Sequence, residues 1–149
     1  MEIKQTQLLA DELIIQYIPG WKFKWSVAKA IFGRCSYSQK TILISKPIAE
    51  LNEEADVRDT ILHEIAHALV GMGHGHDQEW KRMAIVIGCK PERCYTDKVK
   101  SPAGRYIYEC PVCKNRTDYH RTLKLDHSCI KCSSHFNPEF LLKLVSKNG

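Results

Sequence analysis

DTILHEIAHALVGMGHGHDQEW, residues 59–80, decides how this chain is read. Ile61, Leu62, Ile65, Ala66, Ala68 and Leu69 surround the pattern His63-Glu64-Ile65-Ala66-His67, and the run closes on Gly71 and Gly73. On a helix, residues four apart share one face, so the imidazoles of His63 and His67 can reach a single ion. Glu64 stands about 100° round from His63, beside that face, where its carboxylate can take a proton from a metal-held water. The spacing therefore supplies two metal ligands and a general base. A five-residue pattern also arises by chance on ordinary helices. Against chance stand the apolar flanks, among which two imidazoles would lack obvious polar partners. The loop Gly71-Met72-Gly73-His74-Gly75-His76 also returns further histidines toward the same place.

A catalytic zinc takes three protein ligands and keeps a fourth position open. His74, His76, Glu79 and Glu92 are the candidates for the third ligand. A metzincin would carry its third histidine where Gly73 stands, which excludes that pattern. Glu92 lies between Pro91 and Arg93 without helical support, whereas His76 sits at a loop-to-helix junction. Three neutral imidazoles leave the full +2 charge on the ion, which lowers the pKa of a bound water from about 16 toward 7. His74 and Tyr95 are candidate donors to an oxyanion.

Working outward, a helix is expected over residues 52–70, with Asn52 as N-cap and Glu53 and Glu54 in the first turn. Another is expected over 77–87, with Trp80, Met83, Ala84 and Ile87 on one face. Upstream, residues 6–18 read as an amphipathic helix, with Leu9, Leu13 and Tyr17 in register and Pro19-Gly20 as the stop. The alternation in Trp21-Lys22-Phe23-Lys24-Trp25 predicts a half-buried strand. Residues 33–37 and the β-rich run 40–45 are further strands. Pro91, Pro102 and Gly104 punctuate a stretch from Cys89 to about Arg105 that reads as a linker or extended connection.

Beyond it lie Cys110-x-x-Cys113 and Cys129-x-x-Cys132, separated by fifteen residues. This is a four-thiolate zinc pattern of ordinary spacing, and a closed site of this kind is structural. It can contribute on the order of 10 kcal/mol to a piece too small to fold on its own core. Tyr106-Ile107-Tyr108 fits a ribbon strand. His120, His127 and His135 read as surface residues, and Cys35, Cys89 and Cys94 as core or loop thiols.

The chain has 149 residues, 44% hydrophobic and 26% charged, a globular balance. No apolar run of about 18 residues exists, so no membrane span is expected, and residues 1–7 lack a signal-peptide layout. The expected compartment is the cytoplasm, where seven cysteines favour metal binding over disulfides. Residues 1–80 carry eight Lys/Arg against eleven Asp/Glu, and residues 81–149 fourteen against six, so the second part holds a net +8. Lys98, Lys100, Arg105, Lys114, Arg116, Arg121, Lys124 and Lys131 crowd the ribbon and its approach, with Tyr106, Tyr108 and Tyr119 among them. Such a surface suits an anionic partner, DNA first, single-stranded or duplex. The plainer explanation is a solvated surface.

The run HEIAHALVGMGHGHDQEW resembles the signature of the SprT-like metalloproteases, in which H-E-x-x-H is followed by a His with an acidic residue three positions on and an aromatic four positions on. His76, Glu79 and Trp80 match. GRCSYSQKTILIS upstream and the trailing ribbon are also similar, so the resemblance covers roughly residues 8–132. It implies His76 as third ligand beside His63 and His67. It also implies a connection with DNA, since some members, the Spartan proteases, cut proteins attached to DNA. The tails of those larger members have no counterpart in these 149 residues, so their partner-binding motifs do not carry over.

The expectation is thus an α+β protein. Residues 1–98 form a zincin-like metalloprotease core with a small mixed sheet and an active-site helix. Residues 99–149 form a linker and a four-cysteine zinc ribbon. One catalytic zinc sits on His63, His67 and His76 with Glu64 as base, and one structural zinc on Cys110, Cys113, Cys129 and Cys132. The substrate is protein. The alternative is a non-enzymatic nucleic-acid-binding or regulatory adaptor, against which Glu64 argues, because a structural site needs no base.

Overall fold

The computed structural model describes residues 1–92 and 99–147. Cys94, Tyr95 and Lys98 lie outside the described residues. The chain forms two compact units, Met1–Pro102 and Ala103–Gly149, the first of mixed α+β character and the second built on strands.

In the first unit, helix α1 (Ile3–Tyr17) precedes strands β1 (Lys22–Ser26), β2 (Gly33–Ser36) and β3 (Thr41–Ser45), then helices α2 (Lys46–Leu51), α3 (Glu54–Val70) and α4 (Gln78–Val86). The sheet is small and mixed, in the order β1-β3-β2. β1 runs parallel to β3, with Phe23 opposite Ile42, and β2 antiparallel to it, with Cys35 opposite Ile42. The β-branched run of β3 takes the central place, and Ile42 and Ile44 are fully buried. α1 contributes Ala10, Leu13 and Ile14 to the core, with Leu9 and Tyr17 packed at its edge. α3 contributes Val57, Ile61 and Ile65, and α4 contributes Trp80 and Ala84, with its C-cap Ile87, from the face that the spacing predicted.

Three sequence expectations change. Asn52 does not cap α3. It is the C-cap of α2, a helix the sequence reading did not include. Its side-chain amide donates to the carbonyls of Ile48 and Lys100, both at 2.7 Å, and its oxygen accepts from Lys100 N–H at 2.8 Å. Those tertiary partners occupy the groups a cap would need, and α3 begins from Glu53 with no side-chain cap. The signal for α2 was present: Ser45 accepts from Ile48 N–H as N-cap, and Pro47 stands in the first turn. Third, the stretch read as a linker is partly fastened to the first unit. Cys89 is buried in the core, Val99 packs against it, and Lys100 is held by Asn52.

The second unit is a three-stranded antiparallel sheet, β4 (Tyr106–Glu109) between β5 (Arg116–Tyr119) and β6 (Lys143–Lys147). A 3-10 turn, Pro138–Phe140, precedes β6. Among its described residues Tyr108, Cys110 and Cys129 are the buried apolar ones. So small a core leaves the fold dependent on another tie, which the cysteines can supply. No described helix is long and apolar enough to cross a membrane.

Candidate metal centres and catalytic cleft

The apolar face of α3 packs into the core and carries His63 and Glu64 into buried positions, with His67 one turn on. The helix stops at Gly71, whose φ of 85° suits a residue without a side chain. Gly73 and Gly75 also hold positive φ, and the loop they shape turns the chain back to His76. There Nε2 of His76 stands 3.0 Å from Nε2 of His63 and 3.1 Å from Nε2 of His67. One ring nitrogen offers a single hydrogen or a single lone pair, so as a hydrogen-bond partner His76 Nε2 serves only one of these neighbours at a time. A cation among three lone pairs serves all of them. Tetrahedral Zn–N bonds would hold such nitrogens about 3.3 Å apart, close to the spacing found. The three histidines form a group that could hold a metal ion.

Electrostatics keeps the rings of His63 and His67 neutral, the form that can bind a metal. Burial, followed by the charges of His67 and His76, pushes His63 down to about 3. Burial and His76 take His67 down to about 4. The indole of Trp80 backs all three imidazoles, with ring centroids 4.6 Å from His63, 5.3 Å from His67 and 4.7 Å from His76. Its Nε1 donates to the His63 carbonyl at 3.4 Å.

The other candidate ligands stand elsewhere. His74 Nδ1 pairs with Asp77 at 2.9 Å, and the other carboxylate oxygen of Asp77 caps α4 by accepting from Trp80 N–H. These bonds hold the Asp77 carboxyl below its usual range. Glu79 and Glu92 are exposed and lie outside the three-histidine group. Among the described residues, then, the third converging ring is His76.

An open cleft of about 470 Å³ contains the three histidines and Glu64 and is walled by Gly33, Arg34 and Cys35 of β2 and by Tyr37 just after it. Sequence reasoning assigned no site role to these four. For three of them the signal was the alternation in Gly33-Arg34-Cys35-Ser36-Tyr37, which sends every second residue to one face of a strand. Tyr37 Oη donates to the His67 carbonyl at 3.1 Å. Burial raises the Tyr37 phenol to about 12, helped by Cys35 and Glu64, so it stays a donor. Burial and the charge of Glu64 likewise push the Cys35 thiol up to about 12. Cys35 is therefore a protonated strand thiol facing the cleft.

In the second unit, two turns that follow Cys110 and Cys129 bring four sulfurs together. Lys114 N–H donates to the Cys110 carbonyl and Ser133 N–H to that of Cys129. Sγ of Cys110 lies 3.8 Å from that of Cys132, and Sγ of Cys113 lies 3.6 Å from that of Cys129. Tetrahedral Zn–S bonds would space sulfurs about 3.8 Å apart. Among the described residues these four form a second group that could hold a metal ion, and His120, His127 and His135 are not part of it. Burial opposes ionisation of Cys110, yet the N–H groups of Cys113 and Val112 bring its thiol down to about 7. Burial and the neighbouring thiols push Cys132 up to about 12. Four adjacent thiols cannot all ionise without a cation among them.

Lys114, Arg116, Arg121, Lys124 and Lys131 are exposed on this unit. Arg116 is bonded to Glu109 at 2.8 Å, and Lys114 lies 3.9 Å from the same carboxylate. Arg105 stacks over Tyr106, and Tyr119 meets Tyr108 edge-on.

A family model described as the SprT-like family matches residues 3–101. Curated relatives named Protein SprT are also similar. One from Pseudomonas putida (strain W619) is 37% identical, and one from Pseudomonas savastanoi pv. phaseolicola (strain 1448A / Race 6) is 39% identical. Each match covers 40% of this chain and 41% of the relative, so less than half of either protein is aligned.

Proposed function

We propose, from the premise that this chain belongs to the SprT-like family, that it is a zinc-dependent peptidase acting on protein substrates. His63, His67 and His76 hold the ion and Glu64 is the general base. The observation that carries the reading is the convergence of three imidazole nitrogens beside a buried carboxylate in one open cleft. The helix bearing the motif packs beside a mixed sheet whose edge strand, β2, lines the cleft, which supports a zincin-like core.

When bound, zinc supplies a Lewis acid that acidifies a water and polarises a peptide carbonyl. The three neutral imidazoles leave the charge of the ion undiminished. The carboxylate of Glu64 accepts the proton of the attacking water and returns it to the departing amine nitrogen. Trp80 holds the rings from behind, and Tyr37 ties the last turn of α3 to the β2 segment. The four cysteines hold a second, structural zinc that staples the ribbon. Reduced thiols in such a site fit a reducing compartment, the cytoplasm. The exposed basic side chains of the ribbon are read as a DNA platform, which would bring the peptidase to DNA-associated or DNA-crosslinked proteins.

The test is cleavage of a basic protein with and without DNA, comparing the wild type with Glu64→Gln. The amide keeps the shape but takes no proton. The expected result is retained zinc and a rate lower by roughly 10²–10⁴-fold. A zinc-loaded Glu64→Gln that cuts at the wild-type rate removes Glu64 from the mechanism.

A further inference from the structure

β2 runs alongside α3, and its first residue faces the carboxylate of the proposed base. A Cβ built on Gly33 would stand 2.8 Å from Oε1 and 2.9 Å from Cγ of Glu64, and 2.9 Å from Cγ2 of Thr60. Such separations are closer than carbon makes with either atom type without one side moving. Gly33 is not among the glycines with positive φ, so its backbone conformation is open to any residue. What this position uses is the missing side chain. Glu64 is itself buried, and a side chain at position 33 would have to push its carboxylate aside.

We propose that Gly33 is a positioning residue for Glu64: the bare Cα of the edge strand sets where the carboxylate stands in the cleft. The effect on turnover rests on the peptidase reading above, whereas the contact itself does not. Glu64 side-chain atoms account for two of the three close approaches, and the methyl of Thr60 for the third. The same segment then touches both working ends of the motif, since Gly33 meets Glu64 and Tyr37 Oη bonds the His67 carbonyl. β2 and the turn that follows it act as a gauge laid along the helix, spacing base and candidate ligand.

The experiment is Gly33→Ala in the full chain, read three ways. Zinc content should be unchanged, because no ligand is touched. With peptide substrate, kcat should fall on the order of 10–100-fold while KM moves little, since a base displaced by a fraction of an ångström harms the transition state and not ground-state binding. In the metal-free protein, Gly33→Ala should lower Tm. That loss should shrink when Glu64→Ala is added, and shrink less when Thr60→Ser, which deletes only the methyl, is added. Wild-type turnover in Gly33→Ala overturns the proposal. So does a Tm loss relieved by Thr60→Ser and not by Glu64→Ala, which would assign the glycine to helix packing. If the wild type hydrolyses no peptide, the peptidase reading falls by itself, and the Tm cycle still decides whether Gly33 sets the carboxylate.

Discussion

The indole of Trp80 stacks on the imidazole of His67, with planes 29° apart and centroids separated by 5.3 Å. The same indole is fully buried and also meets His63 and His76. One side chain from α4 therefore backs candidate ligands that come from α3 and from the loop between them.

Trp80 should act on metal affinity as well as on folding. Trp80→Phe keeps a buried ring but loses area behind the imidazoles and the bond to the His63 carbonyl. Groups that orient ligands are worth about 10–100-fold in metal affinity. Competition with a chelator should show the three-histidine site weakened by about tenfold or more, and the four-cysteine site unaltered. Equal zinc affinity in Trp80→Phe would reduce the indole to core filling.

Elemental analysis should return two zinc ions per chain. His76→Ala removes the ring that joins His63 and His67, and should bring the count to about one. Cys113→Ser should instead spare the first site and unfold the second unit, whose apolar core is small. A wild-type count of one, unchanged in His76→Ala, would exclude the metal site on α3.

Acid should destabilise the metal-free first unit in a defined window. His63 and His67 have folded-state values near 3 and 4, below the ordinary 6.5. Below about 6.5 the unfolded chain takes up protons that the folded chain refuses. Stability is thus fully present above 6.5 and drains as pH falls toward 4 and then 3. Tm of the metal-free protein, followed from pH 7 to pH 4, should decline. His63→Gln should flatten that decline; an equally steep fall in this variant would place the acid sensitivity elsewhere.

DNA affinity, if the ribbon supplies it, should fall linearly in log salt, with a slope near −0.9 per phosphate on duplex DNA. Glu109 already engages Arg116 and Lys114. Charge removal at Arg121 and Lys124 should therefore cost more affinity than at Lys114 and Arg116, and about equally for all sequences. Tyr119→Ala should weaken single-stranded binding more than duplex binding if its ring face stacks on a base. A titration of the zinc-loaded chain at low salt that detects no binding would leave these charges a solubilising role only.

The parts of this protein legible in its sequence are those set by near neighbours. His63 and His67 share a face because a helix repeats every 3.6 residues, and Cys110-x-x-Cys113 closes a turn by itself. The alternation of 21–25 and the β-branched run of 41–45 likewise announced strands that the sheet contains. Asn52 misled because cap and long-range partner need the same amide, and only the position of Lys100 settles which one it serves. The choice of His76 over His74 as the converging ring also lay beyond spacing, since either could reach. Asp77 engages His74, and the glycine loop delivers His76. Least visible of all was Gly33, thirty-one residues from Glu64. Its importance is an absence of volume, and volume has meaning only once two distant segments are packed together.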